Sequence, residues 1–436
     1  MTRAGRIGIV TGTGLVVVAM VFAGASCIQR GGRTDQSKSS DRERVEQSVR
    51  LDRAISSAAD YLVRHCDEHG RFTYRVWLDP SVEADDEYNV IRHAGTIYAL
   101  AAAHRRSPSP EKLEALRRAA AFLRRETLGP VLDHPDMLAV YSPPDVEETD
   151  QPLQAKLGGA GLGLVALLSV EQIEPGSVPL EELRALGRFI LFMQKPDGSF
   201  FADYYPDAWG RDPDSASLYY PGEAALGLLM LHEKDPQSDW LHGAARAIAY
   251  LARSRRGATE VEADHWALLA TSRLWPLRDQ CDPPLPAETL QRHAVQICRQ
   301  ILATRDAISG PVRETGCLTA DGRTCPTATR VEGLAAALTF LSDEDATLCD
   351  DIRRTIGRAT GFLIDSQIRQ GPHAGGIPGS IELDPESVAT PDRVSPSDEI
   401  RIDYVQHALS ALIQWEELVG SEDPGENRAV GAAKNE

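Results

Sequence analysis

The chain has no excess of positive charge: 46 Lys+Arg stand against 64 Asp+Glu, a formal net charge of −18. Phosphate recognition needs a basic footprint, so nucleic acid is not expected as a partner. It also lacks any CxxC pair, any catalytic-cysteine signature and any HExxH motif. The local spacings that announce a zinc, redox or thiol-nucleophile site are therefore missing, and no cofactor or metal is expected. No signal for an oligomeric state is present. In bulk the chain is ordinary: 436 residues, 42% of them hydrophobic, are enough for one large core.

The N-terminus reads as a targeting segment. Arg3 and Arg6 precede the apolar run Ile7–Ala23, and Gly24-Ala25-Ser26-Cys27 follows. This is the pattern of a secretory signal over 1–27. Cys27 after small residues resembles a bacterial lipobox, which implies a lipidated cysteine; an ordinary signal peptide or an uncleaved anchor remains the alternative. Each version places the body outside the cytoplasm, with membrane contact through the N-terminal lipid in the first. The polar segment 28–44 is expected to be a flexible tether and 419–436 a disordered tail. Six further cysteines in an exported chain permit disulfides. Cys317 and Cys325 flank the turn signal Thr319-Ala320-Asp321-Gly322 and are expected to be bridged.

From 45 to 418 two kinds of helix alternate. Arg44–His65, Pro110–Glu126, Leu180–Met193, Trp240–Ala252, Ala287–Ala303 and Ala346–Asp365 each have one charged face. Between them lie apolar, Ala/Gly/Leu-rich helices beginning near 89, 156, 222, 264, 331 and 403. A helix with a charged face lies against solvent, whereas one apolar all round must be buried. The pattern recurs roughly every 65 residues, a helical-hairpin repeat. The fold class is therefore all-α, an (α/α)6 toroid with inner helices around the axis. An open solenoid is the alternative, but it would not demand a polar start on every inner helix.

The segment Phe189-Ile190-Leu191-Phe192-Met193-Gln194-Lys195-Pro196-Asp197-Gly198-Ser199-Phe200 resembles the QW-type repeat of squalene and terpenoid cyclases. Weaker copies are Tyr61-Leu62 with Gly70-Arg71-Phe72, and Phe362-Leu363 with Gln367 and Gly375-Gly376. The resemblance implies the toroid of terpenoid cyclases and protein prenyltransferases, an architecture also common among glycoside hydrolases, polysaccharide lyases and sugar epimerases. It does not carry over the cyclase chemistry. Asp85-Asp86-Glu87 is not the Asp-x-Asp-Asp acid motif, and the prenyltransferase Asp/Cys/His zinc set and the Gly-x-x-His-Gly motif of lanthionine cyclases are missing.

Closed hairpins would bring every inner-helix start to one mouth. The candidates there are Tyr88, Asn89, Arg92 and His93; Lys156; Tyr220 and Glu223; Asp264, His265 and Trp266; Arg330 and Glu332; Asp403 and His407. Helix N-termini add N–H donors that favour an anionic or hydroxyl-rich ligand. Carboxylates beside His, Arg and Tyr are the components of general acid–base chemistry. Singly, Asp264, Asp403 and Asn89 also read as helix caps, and Glu223 and Glu332 as first-turn acids. Three mechanisms stay open. A neutral glycoside needs two of Glu223, Asp264, Glu332 and Asp403. A uronate polymer would use Asn89 and Arg92 on the sugar carboxylate with His93 or Tyr220 taking a proton. A metal would need His93, His265 and His407.

The expected function is an exported carbohydrate-active enzyme, a hydrolase, lyase or epimerase acting on a glycan or another polar ligand. The alternatives are a non-catalytic surface toroid that binds a glycan or protein, and a cyclase-like enzyme. Metabolic labelling with a fatty-acid analogue should mark the wild type and not Cys27→Ala; equal labelling of both would remove the lipobox.

Overall fold

The computed structural model describes residues 31–82, 87–341, 345–381 and 396–421. The signal segment and Cys27, and the tail after 421, lie outside the described residues. Two units are distinguished, Met1–Val49 and Arg50–Glu436.

Besides two four-residue turns of helix, twelve α-helices are described. The outer ones are α1 (Gly31–Arg64), α3 (Pro110–Thr127), α5 (Leu180–Phe192), α7 (Ser238–Ser254), α9 (Ala287–Ala307) and α11 (Ala346–Ser366). The inner ones are α2 (Val90–Arg106), α4 (Leu157–Ile173), α6 (Tyr220–Lys234), α8 (His265–Leu274), α10 (Thr324–Leu338) and α12 (Ile402–Ser421). Inner helices pack in the order α2, α4, α6, α8, α10, α12, and α12 returns to α2, so the ring is closed. The expectation of an all-α toroid holds. The segment 31–44, read as a tether, is instead the beginning of α1. After Gly32 it contains no glycine or proline to stop a helix.

The inner ring is tight because its helices are built from small residues. A Cβ at Gly161 of α4 would lie 2.7 Å from Ala224 N of α6, and one at Gly227 of α6 would lie 2.9 Å from Gly161 O. The outer ring is tied by the repeat that the sequence shows most clearly after α5. Gln194 Nε2 donates to Gly243 O at 2.9 Å, and Gly198, at φ +96, sits against Arg246 O of α7. Gly375, at φ +91, meets Ser57 O of α1 in the same way, while Gln367 Nε2 donates to Ala54 O at 3.0 Å. That contact joins the last outer helix to the first.

Among the described residues seven short strands lie in the loops. Strands β1 (Arg75–Trp77) and β7 (Glu399–Arg401) pair antiparallel, Arg75 opposite Arg401, so the loop before α2 is bound to the entry of α12. Strands β2 (Leu128–Val131) and β3 (His134–Val140) form a hairpin. Strands β4 (Ala155–Lys156), β5 (Asp203–Tyr205) and β6 (Gly210–Arg211) form a three-stranded sheet at the start of α4.

Two expectations are corrected around α10. It begins at Thr324, not near Arg330, because Pro326 fits a first turn, where its missing N–H costs nothing. Cys317 and Cys325 are not bridged; both are free. The turn is closed by Thr319, whose Oγ1 accepts from Arg323 N at 2.8 Å. Cys317 Sγ lies 3.3 Å from Thr327 Oγ1, while Cys325, in the first turn of α10, looks toward Asp403, Arg92 and Arg401.

Gly161→Val should lower stability by about 1–3 kcal/mol, since the extra methyls have no room against α6. Thermal melting measures this, and an unchanged midpoint would show that the inner helices separate freely.

Candidate active site

All inner helices start on the mouth side, yet adjacent side chains on a helix point about 100° apart, so not every polar head reaches the axis. The centre is formed by α8, α10 and α12. His407 Nδ1 lies 2.8 Å from Glu332 Oε2, and His265 Nε2 lies 3.9 Å from the same oxygen. The two imidazoles face each other with centroids 5.4 Å apart and planes crossing at 80°. Trp266 packs on both, at 4.7 Å from His265 and 6.1 Å from His407. All four side chains are buried.

What sets this group apart is unmet hydrogen bonding. Both ring nitrogens of His265, Glu332 Oε1, Glu223 Oε2 and Gln406 Oε1 are buried without a partner. Buried polar atoms in folded proteins are nearly always satisfied, so the three orphans within the cluster, on His265 and Glu332, mark a place suited to a ligand's polar groups. Glu223 Oε2 and Gln406 Oε1 lie against the neighbouring backbones of Gly158 and Gly95. Burial, with the charges of His407 and Arg92 beside it, holds His265 well below the usual histidine range, so its imidazole is neutral.

The carboxylates divide by environment. Asp403 receives two bonds from Arg401, at 3.0 and 2.8 Å, and Arg92 Nε lies 3.6 Å away. Burial alone would raise its pKa, but Arg92 and Arg401 outweigh that and keep it ionised. Asp264 caps α8 through Ala267 N at 3.0 Å and takes Arg255 Nη2 at 2.6 Å. Arg255 in turn lies 3.2 Å from His293 Nε2, and burial with this cation beside it pushes the His293 imidazole down to about 3. Glu223 differs. Burial pushes its carboxyl up to about 8 against the pull of Arg92, so near neutral pH it is largely protonated and able to donate.

Several predicted residues are elsewhere. His93 lies outside the funnel, as we term the ring of inner-helix starts around the axis, one position on from Arg92 and turned toward α3. Its Nε2 donates to Ala119 O at 3.0 Å, which leaves Nδ1 to accept from Tyr88 OH at 2.7 Å. Tyr88 OH itself accepts from Phe72 N at 3.1 Å, so both side chains hold the loop to α2 and α3. Asn89 is a cap, accepting from Arg92 N at 3.0 Å. Lys156 pairs with Glu147 at 3.2 Å, whose other oxygen accepts from Val90 N at 2.9 Å. Arg330 donates to Leu318 O at 2.9 Å, two positions from Glu332 and thus on another side of α10. Tyr220 lies beside Glu223, both against the bare backbone of Gly158. The structure thus gathers Arg92, Glu223, Asp264, His265, Trp266, Glu332, Asp403 and His407.

Sequence reasoning missed Gln406, Arg401, Cys325 and Arg255. Gln406 was legible as a lone amide in an apolar helix. Its place depends on Gly95, where a Cβ would lie 2.6 Å from Gln406 Oε1. Arg401 sits two residues before Asp403 and Arg255 nine before Asp264, while Cys325 is brought near Asp403 and Arg92 from α10. As a metal site, His265, Glu332 and His407 present one ligand atom each within 4.8 Å. The His93 that the sequence offered as a ligand is not among them.

No family model and no curated relative matches the chain. Solved structures do. A cellobiose 2-epimerase from Bacillus thermoamylovorans superposes with a TM-score of 0.59 at 13% identity, over 85% of this chain and 99% of that one. A D-mannose isomerase gives 0.58 at 13%, over 84% and 97%. An α-1,6-mannanase of Salegentibacter gives 0.55 at 10%, over 84% and 99%. The chain is an α/α toroid. At such identities the likeness concerns the fold, and the specific family is not identified by it.

The Glu223 carboxyl, raised in the folded state, favours folding fully below the unfolded value of 4.5 and loses that contribution as pH rises through about 8. Glu223→Gln, which cannot ionise, should therefore gain thermal stability relative to wild type between pH 5 and pH 9. A constant difference across that window would contradict the burial of this carboxyl.

Proposed function

We propose that the funnel is the active site of a carbohydrate isomerase or epimerase that moves a proton at the carbon next to the sugar carbonyl. The observation that carries this reading is the pair of facing imidazoles, one bonded to Glu332 and the other with both nitrogens free. Glycoside hydrolysis wants two available carboxyl groups across the bond. Here Asp264 and Asp403 are bound by arginines and Glu332 by His407, which leaves Glu223 alone. The uronate route assigned the base to His93 or Tyr220, and His93 is outside the funnel.

The chemistry balances without a redox partner. With the sugar open, neutral His265 takes the proton from the carbon beside the carbonyl, and the electron pair moves onto the carbonyl oxygen. Arg92, 37% exposed and held by Asp403, faces the resulting negative charge. Protonated Glu223 supplies a hydrogen bond or a proton to an oxygen. His407, its Nδ1–H donating to Glu332, has Nε2, 3.5 Å from Gln406 Nε2, for the second proton transfer. Delivery of the abstracted proton to the former carbonyl carbon gives the ketose, while the hydroxyl on the deprotonated carbon gives its proton to the Glu223 carboxylate that had protonated the carbonyl oxygen. Delivery of a proton from His407 to the opposite face of the same carbon, with the enediol proton returned to Glu223, gives the epimer, and the two imidazoles reset by exchange with water. The isomerase and the 2-epimerase among the similar structures bear names consistent with this chemistry. With the signal segment and Cys27, the enzyme would act outside the cytoplasm as a membrane-tethered lipoprotein on a sugar or glycan ligand.

Chromatography of reducing sugars incubated with the protein should show an aldose converted to its ketose or epimer. His265→Leu should lower kcat by roughly 10²–10⁴-fold, while its thermal midpoint stays level or rises because two orphaned nitrogens are gone. Absence of any conversion, or undiminished kcat in the variant, would overturn the reading.

A further inference from the structure

The hairpin β5–β6 carries exposed aromatic surface at the funnel rim. Trp209 is 65% exposed, and its ring lies against Tyr205 with centroids 5.1 Å apart at 49°. The hairpin that presents it is pinned. Arg211 Nη1 donates to Phe192 O at 2.9 Å, and its guanidinium stacks over Phe192 at 4.3 Å and Phe201 at 5.0 Å. Ser215 Oγ accepts from Ala202 N and Asp203 N at 3.1 and 3.0 Å. A lone exposed ring is ordinary, but here two adjacent rings, Trp209 and Tyr205, are held on a braced hairpin beside the start of α4.

The hairpin is continuous with the funnel. Asp203 stands opposite Lys156, the residue before α4. Asp203 and Tyr205 share one face of β5, while Tyr204 between them is buried edge-on against Phe189 and Phe192. Asp203 and Tyr220 are close enough to feel each other's charge, and Tyr220 adjoins Glu223. A track of side chains thus runs from Glu223 through Tyr220, Asp203 and Tyr205 to Trp209. Its character suits a pyranose: flat apolar rings for the C–H face, with Asp203 and Asp212 to accept from hydroxyls. The same acids disfavour an anionic ligand.

We propose that Trp209 and Tyr205 form a second subsite that stacks the non-reacting ring of a neutral di- or oligosaccharide whose reducing sugar lies between His265 and His407. The proposal rests on the isomerase or epimerase reading for the position of the reducing sugar. It makes the natural substrate a saccharide of at least two rings.

The test compares kcat/KM for a neutral disaccharide and for its reducing monosaccharide in wild type, Trp209→Ala and Trp209→Phe. The disaccharide-to-monosaccharide ratio should fall roughly tenfold in Trp209→Ala and recover largely in Trp209→Phe, which keeps an aromatic face. An unchanged ratio in Trp209→Ala would overturn the subsite while leaving the central chemistry in place. If neither sugar is turned over, the isomerase reading fails by itself. Tryptophan fluorescence then decides the subsite: a disaccharide-dependent change present in wild type and lost in Trp209→Ala supports it, and no change in wild type overturns it.

Discussion

Ring closure is the constraint from which the rest follows. Six hairpins can close only if the inner helices approach backbone to backbone, which is why Gly161 and Gly227 meet across α4 and α6. Closure then forces all inner helices to start on one side. Residues as distant as Arg92 and Asp403 become an ion pair, and Glu332 and His407 become hydrogen-bonded partners. The pairing of β1 with β7 and the contact of Gly375 with α1 fasten the seam where the ends of the chain meet.

Crowding so many ionisable groups at one mouth carries a desolvation cost of several kcal/mol for each unpaired charge. The protein offsets most of it with partners: Arg401 and Arg92 for Asp403, Arg255 for Asp264, Lys156 for Glu147. Where no partner is supplied, the groups adopt their neutral forms, as His265 and Glu223 do. These neutral, unsatisfied groups are the ones suited to exchanging protons with a substrate. The satisfied ones hold the site's shape and its field.

The architecture was legible because it rests on patterns that survive in one dimension, namely charged-face helices alternating with apolar ones and a Gly-containing turn recurring after three of the outer helices. The site was legible only in part, because a polar residue at a helix start has several directions available. His93 and Arg92 are neighbours in sequence, yet one bonds Ala119 O and the other faces Asp403. Arg330 and Glu332 part in the same way on α10, whose early start at Thr324 was hidden by Pro326. The expected Cys317–Cys325 bridge rested on a turn that Thr319 closes without it. Arg255, at the C-terminal cap of α7, reaches Asp264 across the loop to α8, a contact set by how that loop folds.

The claim at the centre of this account is that the facing imidazoles transfer a proton at the carbon beside a sugar carbonyl. Proton NMR of a reducing sugar incubated with the enzyme in D2O tests it most directly. The account predicts loss of the signal from hydrogen at that carbon, with the exchange abolished in His265→Leu. Conversion of the sugar with that hydrogen fully retained, or cleavage of a glycosidic bond without exchange, would contradict it.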